Sequence, residues 1–370
     1  MNKRLIYADN AATTRMSPSA MDAMIRFLAT DYGNASQPYS FSRSVKKAIK
    51  EARSIIADCI GAKPEEIFFT SCGSESDNWV INSATEQSRN IITSRIEHHA
   101  IINPCLHAQD KGSKVLYLPV DSSGVVSADA IENYIDSNSL LSVMMANNEI
   151  GTIEPIDKYS LISRNKGALF HSDAVQAVGH ININVVDLGL DLMSASGHKF
   201  NGPKGIGFLY VRDGVKINSF IHGGAQENGL RAGTENVASI MAMAVALREN
   251  IDGLDSNQKH LKCLEEVIEE RLLNFGIDYV RNGINHLPGL LSLSFKGKNG
   301  ESLLHRLDLK GICVSTGSAC DSKKTQISHV LKSMGLPIDY AKGTIRISLC
   351  KYNTMEEAKE IANSIIEILK

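Results

Sequence analysis

The stretch 190–211, LDLMSASGHKFNGPKGIGFLYV, contains two apolar runs joined by a glycine-rich turn. The runs, 190–195 and 205–211, are apolar at consecutive positions rather than at alternate ones. Such runs are typical of strands that are buried on both faces of a sheet. The turn carries the residues Ser196-Gly197-His198-Lys199, so polar and basic side chains directly follow a buried strand. The stretch therefore predicts two strands of an α/β sheet with chemically useful side chains at one edge.

Five further apolar runs of similar length precede this stretch, and amphipathic segments separate most of them. The clearest of these segments, 45–59, has apolar residues at helical spacing. Alternation of strands and helices favours a mostly parallel sheet that helices cover on both faces. We therefore predict an α/β fold with a seven-stranded, mostly parallel sheet, whose other strands are 67–71, 90–96, 114–119, 140–146 and 168–172.

After about residue 250 the order of the elements changes. The last helix is marked by a capping box, in which Thr354 and Glu357 satisfy each other's backbone groups. We predict a large domain over 15–250 and a small α+β domain formed by 1–14 and 251–370. The elements of its second part are predicted as helices at 257–275, 301–309 and 355–369 and strands at 290–295, 312–315 and 343–349.

Composition limits the classes of function. The 370 residues are 43% hydrophobic, and 39 basic against 41 acidic residues give a net charge of −2. A protein that binds nucleic acid by neutralising phosphates would be more basic. The chain has neither a signal-peptide pattern nor an apolar run near the ~18 residues that a membrane span needs. The seven cysteines show no metal-ligand spacing and fit a reducing compartment. We therefore expect a cytoplasmic protein without membrane or direct nucleic-acid contacts.

Polar residues follow the first predicted strand at the place where parallel sheets bind ligands. The turn 72–77, CGSESD, is small and opens a predicted helix. Free N–H groups and the positive end of the helix dipole would bind a phosphate there. The same turn also fits a helix that one of its serines caps, without any ligand.

Four other polar groups follow further strands: His98, Asn148, Asp173 and Lys199. Each has an ordinary explanation, as a structural histidine, a polar turn, a paired buried acid or a surface lysine. Together with a phosphate-binding turn they supply a ring-stacking histidine, an acid for a ring nitrogen and a lysine for an aldehyde. Those are the groups that a pyridoxal phosphate site needs.

Nine stretches spread over the whole chain carry a more specific signal. They are YADNAATT (7–14), TSCGSESDN (70–78), EHHA (97–100), NNEIGT (147–152), HSDAVQAVG (171–179), SGHKFNGPKGIG (196–207), HGGAQENGLRAGTEN (222–236), STGSAC (315–320) and GTIRISL (343–349). Through them the chain resembles the cysteine desulfurases of the class V aminotransferase family. The resemblance implies a fold type I enzyme with pyridoxal 5′-phosphate as cofactor, which converts L-cysteine to L-alanine.

The resemblance also implies roles at the matched positions. Lys199 would carry the cofactor, His98 would stack on its ring, and Asp173 would pair with the ring nitrogen. Thr234 would reach the phosphate of a neighbouring subunit, which implies a homodimer. The residues that would hold the cofactor phosphate are Gly73, Ser74, Ser196 and His198. Asn148 and Gln176 would hydrogen-bond to the phenolic oxygen side of the ring. The substrate carboxylate would be bound by Arg346 and Asn148, with Asn34 in the same pocket.

Cys320 is the position at which the family forms a persulfide. A free cysteine is usually a small buried apolar residue, but no apolar periodicity surrounds Cys320, so it does not fit that pattern. Lys323 and Lys324 would favour its thiolate. The resemblance implies that the segment from 315 to 328 is a mobile long loop of the iron–sulfur-cluster type. The sulfur would then pass to an acceptor, such as a scaffold protein or a tRNA-thiolation enzyme.

The sequence departs from the family pattern at Tyr39, Ala225, Asn228 and 325–328. None of these positions is catalytic, so the departures bear on acceptor choice rather than on chemistry. An aminotransferase would not need Cys320. A non-enzymatic protein that only binds sulfur or a partner would tolerate loss of Lys199 and Asp173, yet both are present. Cysteine desulfurase is therefore the prediction, with a selenocysteine lyase or another pyridoxal phosphate C–S lyase as the alternative.

Overall fold

The computed structural model of the chain describes residues 5–317 and 327–370. The strands are β1 (Ile6–Tyr7), β2 (Ile67–Thr70), β3 (Asn90–Ser94), β4 (Val115–Leu118), β5 (Ser139–Ser142), β6 (Leu169–Asp173), β7 (Leu192–Ser196), β8 (Gly207–Val211), β9 (Val280–Arg281), β10 (Leu290–Ser294), β11 (Ile312–Cys313) and β12 (Thr344–Ser348). The helices are α1 (Pro18–Ala29), α2 (Arg43–Ile60), α3 (Gly73–Glu86), α4 (His99–Asp110), α5 (Ala128–Tyr134), α6 (Ile156–Lys166), α7 (Val237–Asp252), α8 (Leu254–Asn274), α9 (Gly300–Leu309), α10 (His329–Ser333), α11 (Ile338–Ala341) and α12 (Met355–Leu369).

The seven predicted runs all become strands of one sheet, in the order β2-β8-β7-β6-β5-β3-β4. Its pairs are parallel except that β8 runs antiparallel to both of its neighbours. Every residue of β5, β7 and β8 is buried, as expected for strands that are covered on both faces. The predicted fold class is confirmed.

Two antiparallel pairings in succession restore the direction of β2, so it runs the same way as β7. The carboxyl ends of β2, β3, β5, β6 and β7 therefore meet at one edge of the sheet. The turns that follow these strands hold most of the predicted site residues. This arrangement is the reason that side chains far apart in sequence lie together.

A separate three-stranded antiparallel sheet, β12-β10-β9, lies in the C-terminal part, and β1 pairs in parallel with β11. The predicted helices and strands after residue 250 are present, and the capping box of α12 is formed by Thr354 and Glu357. Ile6 and Ala8 share a hydrophobic core with residues of α8, β10, β12 and α12. The division of the chain into 15–250 and 1–14 with 251–370 remains a proposal. Within the described ranges, no helix is both long and apolar enough to span a membrane.

Candidate active site

A cavity of about 420 Å³ lies at the carboxyl edge of the large sheet. Its walls come from the turns after five strands of that sheet, from the segments after β1 and β11 and from β12. The structure thus brings together most of the residues that the sequence predicted. The predicted residues that line it are Gly73, Ser74, His98, Asn148, Asp173, Gln176, Ser196, His198, Lys199 and Arg346.

One end of the cavity is formed by the start of helix α3. The residue before this helix is Cys72, whose side chain makes no capping hydrogen bond, so the serine-capped alternative is wrong. A Cβ atom on Gly73 would lie 2.5 Å from Cγ2 of Val175, so the backbone approaches its neighbour as only glycine allows. Oγ of Ser196 is buried without a hydrogen-bond partner in the described chain. Unused N–H groups beside an unused hydroxyl fit a phosphate.

His98 presents a neutral ring to the cavity. Its Nδ1 accepts a hydrogen bond from the N–H of Ala100 at 3.1 Å, so the ring proton is on Nε2. Burial lowers the pKa of His98 to about 4, and the charge of Lys199 and neighbouring His99 act in the same direction. The ring is therefore uncharged at neutral pH and can stack on an aromatic cofactor.

Asp173 ends strand β6, is buried and lines the cavity. Its Oδ1 accepts a hydrogen bond from the N–H of Val175 at 2.9 Å. Burial raises the pKa of Asp173 to about 6, while the hydrogen bond from Val175 and the charge of Lys199 work to lower it. A cationic ring nitrogen beside it would favour the ionised form further.

Lys199 and Gln176 are both held by the backbone of the segment 9–14. Nζ of Lys199 donates to the carbonyl oxygens of Ala11 and Ala12, the second at 3.0 Å. Nε2 of Gln176 donates to the same oxygen of Ala11 at 2.9 Å. Nδ1 of His198 lies 3.1 Å from Oγ1 of Thr13. Sequence reasoning quoted this segment for its resemblance but gave it no role, because backbone carbonyls leave no mark in the sequence.

Arg346 is a buried guanidinium in β12 with two defined contacts. Nη1 donates to the carbonyl oxygen of Asn148 at 2.8 Å, and Nη2 donates to Oδ1 of Asp9 at 2.7 Å. Nε has no hydrogen-bond partner among the described residues. The backbone of Arg346 also pairs with Ser315, the first residue of the stretch that leads to Cys320. Asp9 is a site residue that the sequence analysis missed.

Three predicted site residues are not in this cavity as the structure describes it. Thr234 is exposed and lines a different cleft, together with Ser71 and Arg231. Asn34 accepts a hydrogen bond from the N–H of Ser36 at 2.8 Å and does not line the cavity. Cys320, like Lys323 and Lys324, lies outside the described residues. Thr316 and Gly317 before it do line the cavity.

One departure from the family pattern has a local explanation. Glu227 and Asn228 adopt left-handed backbone conformations, with φ of 46° and 57°. Asparagine tolerates this region better than most residues. Glu227 is held there by Arg53 in a two-pronged ion pair, with the shorter contact at 2.7 Å.

Comparison with known proteins agrees with this geometry. The family model described as aminotransferase class-V matches residues 6–361. This chain belongs to the aminotransferase class-V family. A protein named cysteine desulfurase IscS, from Dictyoglomus turgidum, is 44% identical over 380 residues, which cover 100% of this chain and 96% of that protein.

Solved structures show the same fold. A NifS-like protein is 40% identical with a TM-score of 0.93, and the match covers 99% of each chain. A structure described as SspA in complex with cysteine is 34% identical with a TM-score of 0.84, over 94% of this chain and all of that one. The resemblance inferred from the motifs is confirmed.

This aminotransferase class-V protein is pyridoxal phosphate-dependent, as its family is. The cavity fits the cofactor on its own evidence. It offers an uncapped helix start with a close glycine contact, an unpartnered hydroxyl, a buried acid and a lysine amine. The helix start and the hydroxyl match a phosphate, the acid matches a ring nitrogen, and the lysine amine matches an aldehyde.

Proposed function

We propose that this class V aminotransferase is a cysteine desulfurase, which converts L-cysteine to L-alanine and delivers the sulfur to Cys320. The observation that carries the proposal is the set of residues that line this one cavity. It combines Lys199, Asp173 and His98 with a buried Arg346, and its rim includes Gly317, which precedes Cys320 by three residues.

The residues at the ring end of the cavity have separable tasks. When bound, pyridoxal phosphate withdraws electrons from the α-carbon of the substrate. Asp173 balances the charge of the ring nitrogen, and the neutral His98 covers the ring. The Lys199 amine, which now donates to the carbonyls of Ala11 and Ala12, holds the cofactor and moves the substrate's α-proton.

Arg346 binds the carboxylate of L-cysteine in this proposal. Arg346 is 6% exposed, so an ion pair formed here is poorly screened by water. Asn148 and Asp9 fix its orientation through Nη1 and Nη2, while buried Nε remains available as a donor. Asn148 completes the carboxylate site because it lines the cavity beside Arg346.

The sulfur transfer step needs a thiolate within contact distance of the substrate sulfur. Three residues of extended chain reach about 10 Å, so Cys320 can enter the cavity from Gly317. Its thiolate attacks the substrate sulfur, an S–S bond forms and the C–S bond breaks. The electron pair of the broken bond stays with the carbon fragment, which takes up a proton and leaves as alanine. Through their closeness in sequence, Lys323 and Lys324 would favour the thiolate before the attack.

The proposal extends to the assembly and its partners. The exposed Thr234 would complete the phosphate site of a second copy, in a cytoplasmic homodimer. The persulfide would pass to an acceptor protein, either an iron–sulfur scaffold or a tRNA-thiolation enzyme.

The direct test uses the purified holoenzyme and its Lys199→Ala variant. We expect the wild type to be yellow and to form alanine from L-cysteine, and Lys199→Ala to lose this activity by at least about a thousandfold, because no second amine replaces it. Lys204→Ala, an exposed lysine of the same turn, is the matched control and should stay active. Full turnover by Lys199→Ala, or alanine formed from selenocysteine but not from cysteine, would overturn the proposal.

A further inference from the structure

The backbone of the turn that carries Lys199 is held by three side chains that do not line the cofactor cavity. The turn is a short 3₁₀ segment, Gly197–Lys199, and the carbonyl oxygen of Gly197 accepts from the N–H of Phe200 at 3.2 Å and of Gly202 at 2.9 Å. The next three carbonyl oxygens are bound from other parts of the chain. That of His198 accepts from Oγ1 of Thr14 at 2.8 Å, that of Lys199 from Nε2 of His180 at 2.8 Å, and that of Phe200 from Nδ2 of Asn250 at 2.7 Å.

His180 makes the contact to Lys199 itself. A carbonyl oxygen can only accept, so Nε2 of His180 carries a proton and donates it. The residue is partly buried, and its own backbone is held as well. Its N–H donates to the carbonyl oxygen of Ala177 at 3.0 Å, and its carbonyl oxygen accepts from Nε2 of Gln258 at 2.8 Å. The donor that reaches Lys199 therefore stands on a fixed backbone.

A close backbone contact brings His180 to this place. Gly179 has a φ of 80°, a conformation that suits glycine, and a Cβ atom there would lie 2.7 Å from Cβ of Phe200. The segment that follows Asp173 therefore packs directly on the turn of the lysine. Because His180 comes immediately after this contact, its hydrogen bond fastens that segment to Lys199.

The amine of Lys199 needs a fixed backbone because it stands at the end of a flexible four-carbon stem. In the proposed function this amine holds the cofactor and moves the α-proton of the substrate. Misplacing a reacting group by about 1 Å can cost about a hundredfold in rate. The carbonyl oxygens of Ala11 and Ala12 direct the amine, and the bond from His180 fixes the other end of the same residue.

We propose that His180 is a positioning residue for Lys199, which holds the backbone of the lysine turn so that the amine moves by its side chain alone. His180 does not line the cavity, so it acts on the reaction only through Lys199. Asn250 supports the next carbonyl oxygen, but it also accepts from Nζ of Lys351 and so has a second task. The inference rests on the proposed function, because it takes Lys199 as the residue that moves the α-proton.

The test compares variants that keep the donor with variants that remove it. His180→Gln keeps an N–H at about the same reach, whereas His180→Phe keeps a ring without a donor. His180→Asn, whose amide is too short for this contact, takes the place of His180→Phe if that variant does not fold. The matched controls are His260→Gln and His260→Phe, because Nε2 of the partly buried His260 also donates to a carbonyl oxygen, that of Asn353, at 2.8 Å.

Two measurements are made on each variant. Steady-state kinetics of the holoenzyme with L-cysteine separate kcat from KM, and hydrogen exchange of the apoprotein reports on the peptide that spans 196–204. We expect His180→Phe to lower kcat about tenfold with KM within about twofold of the wild type, because proton transfer depends on placement more than binding does. Exchange in this peptide should be about fivefold faster, because one hydrogen bond of the turn is lost. His180→Gln should stay within about twofold of the wild type in both measurements, and the His260 variants should change neither.

Four results would overturn the inference. Unchanged exchange in His180→Phe would mean that His180 does not hold the turn, and unchanged kcat beside faster exchange would mean that the reaction does not need the turn held. Equal impairment of His180→Gln and His180→Phe would mean that the donor is not what matters. Equal effects of His180→Phe and His260→Phe would mean a general loss of stability. If the wild type forms no alanine from L-cysteine, the proposed function fails instead, and the exchange comparison still decides whether His180 holds the turn.

Discussion

At the residue scale, the buried acids around the cavity make stability depend on pH. Glu97 is fully buried, and its Oε1 accepts from the hydroxyl of Ser94 and the N–H of Met144. Burial raises the pKa of Glu97 to about 8. Because the folded form holds this proton more tightly than the unfolded form, the stability it contributes is present below about pH 4.5 and is lost as the pH rises through about 8.

We therefore expect Glu97→Gln to flatten the alkaline side of the stability curve, because a neutral amide has no proton to lose. Between pH 5 and 8, the free energy of unfolding of the variant should rise relative to that of the wild type by on the order of a few kcal/mol. Urea unfolding of the apoprotein at several pH values measures this difference, with the exposed Glu270→Gln as control. Parallel curves for Glu97→Gln and wild type across this range would show that Glu97 is ionised in the folded protein.

The histidines of the site affect the stability of the folded protein at acidic pH. Burial lowers the pKa of His98 and His198 to about 4 each. The folded protein resists protonating them, so their contribution to stability is intact above about pH 6.5 and declines as the pH falls toward 4. Unfolding of the apoprotein should thus become easier from about pH 6.5 downward, and a His98→Gln variant should show a smaller decline. If stability declines as much in His98→Gln as in the wild type, the ring of His98 is not kept neutral by the fold.

Arg346 offers a test of substrate binding. A lysine at this position keeps the charge but loses the planar fork that contacts Asp9 and Asn148. We expect Arg346→Lys to raise the KM for L-cysteine at least about tenfold with a smaller effect on kcat. The control Arg248→Lys, at a half-exposed ion pair, should keep wild-type kinetics. An unchanged KM in Arg346→Lys would remove Arg346 from the carboxylate site.

The sequence could reveal most of these residues because reactive side chains after buried strands are a recognisable pattern. It could not reveal Asp9, whose importance comes from its contact with Arg346 more than 300 residues later. Nor could it reveal the carbonyls of Ala11 and Ala12, because any residue supplies the same backbone oxygen. Asp77 stands within a quoted motif, yet only the fold shows that it is buried and lines the cavity.

At the element scale, the start of α3 depends on a close contact with the turn after β6. A methyl group on Gly73 would clash with Cγ2 of Val175 at 2.5 Å. We expect Gly73→Ala to lower stability by about 1–3 kcal/mol and to weaken cofactor binding, and Val175→Ala in the same chain to restore most of both. Thermal unfolding and cofactor titration of the two single variants and the double variant measure the coupling. Additive effects would mean that the two elements do not meet as described.

Element boundaries followed from sequence where apolar runs were bounded by polar turns. The strand predicted at 190–195 is observed as Leu192–Ser196, and the helix predicted at 257–275 as Leu254–Asn274. The antiparallel direction of β8 was not predictable from its residues, because a buried strand is apolar in either direction. Its short connection from β7, through the turn that carries Lys199, is what sets that direction.

At the scale of the whole molecule, the proposed role of Thr234 requires a second copy of the chain. We expect sedimentation to give twice the 40.3 kDa of one chain for the holoenzyme. Thr234→Ala should leave the dimer intact but weaken cofactor binding several-fold, because one phosphate hydrogen bond is lost. Ser239→Ala, in nearby α7, is a control for the local structure. A monomer with full turnover would contradict the dimer and the role of Thr234 together.

The proposed small domain rests on long-range pairing. β1 pairs with β11, and Asp9 bridges to Ser348, so the N-terminal segment lies against the C-terminal strands. The sequence placed 1–14 with 251–370, and these contacts support that proposal. The exact boundary depends on how α7 and α8, which meet at Gly253, divide between the two parts.

Mass spectrometry of the protein after incubation with ³⁴S-labelled L-cysteine tests whether Cys320 takes sulfur from the substrate. We expect one labelled sulfur on the Cys320 peptide for each alanine formed in the first turnover. Cys320→Ser should still bind the cofactor but carry no label, whereas Cys263→Ser, at an exposed thiol, should behave as wild type. Label on Cys72, which lines the cavity, together with undiminished alanine formation by Cys320→Ser, would contradict the account.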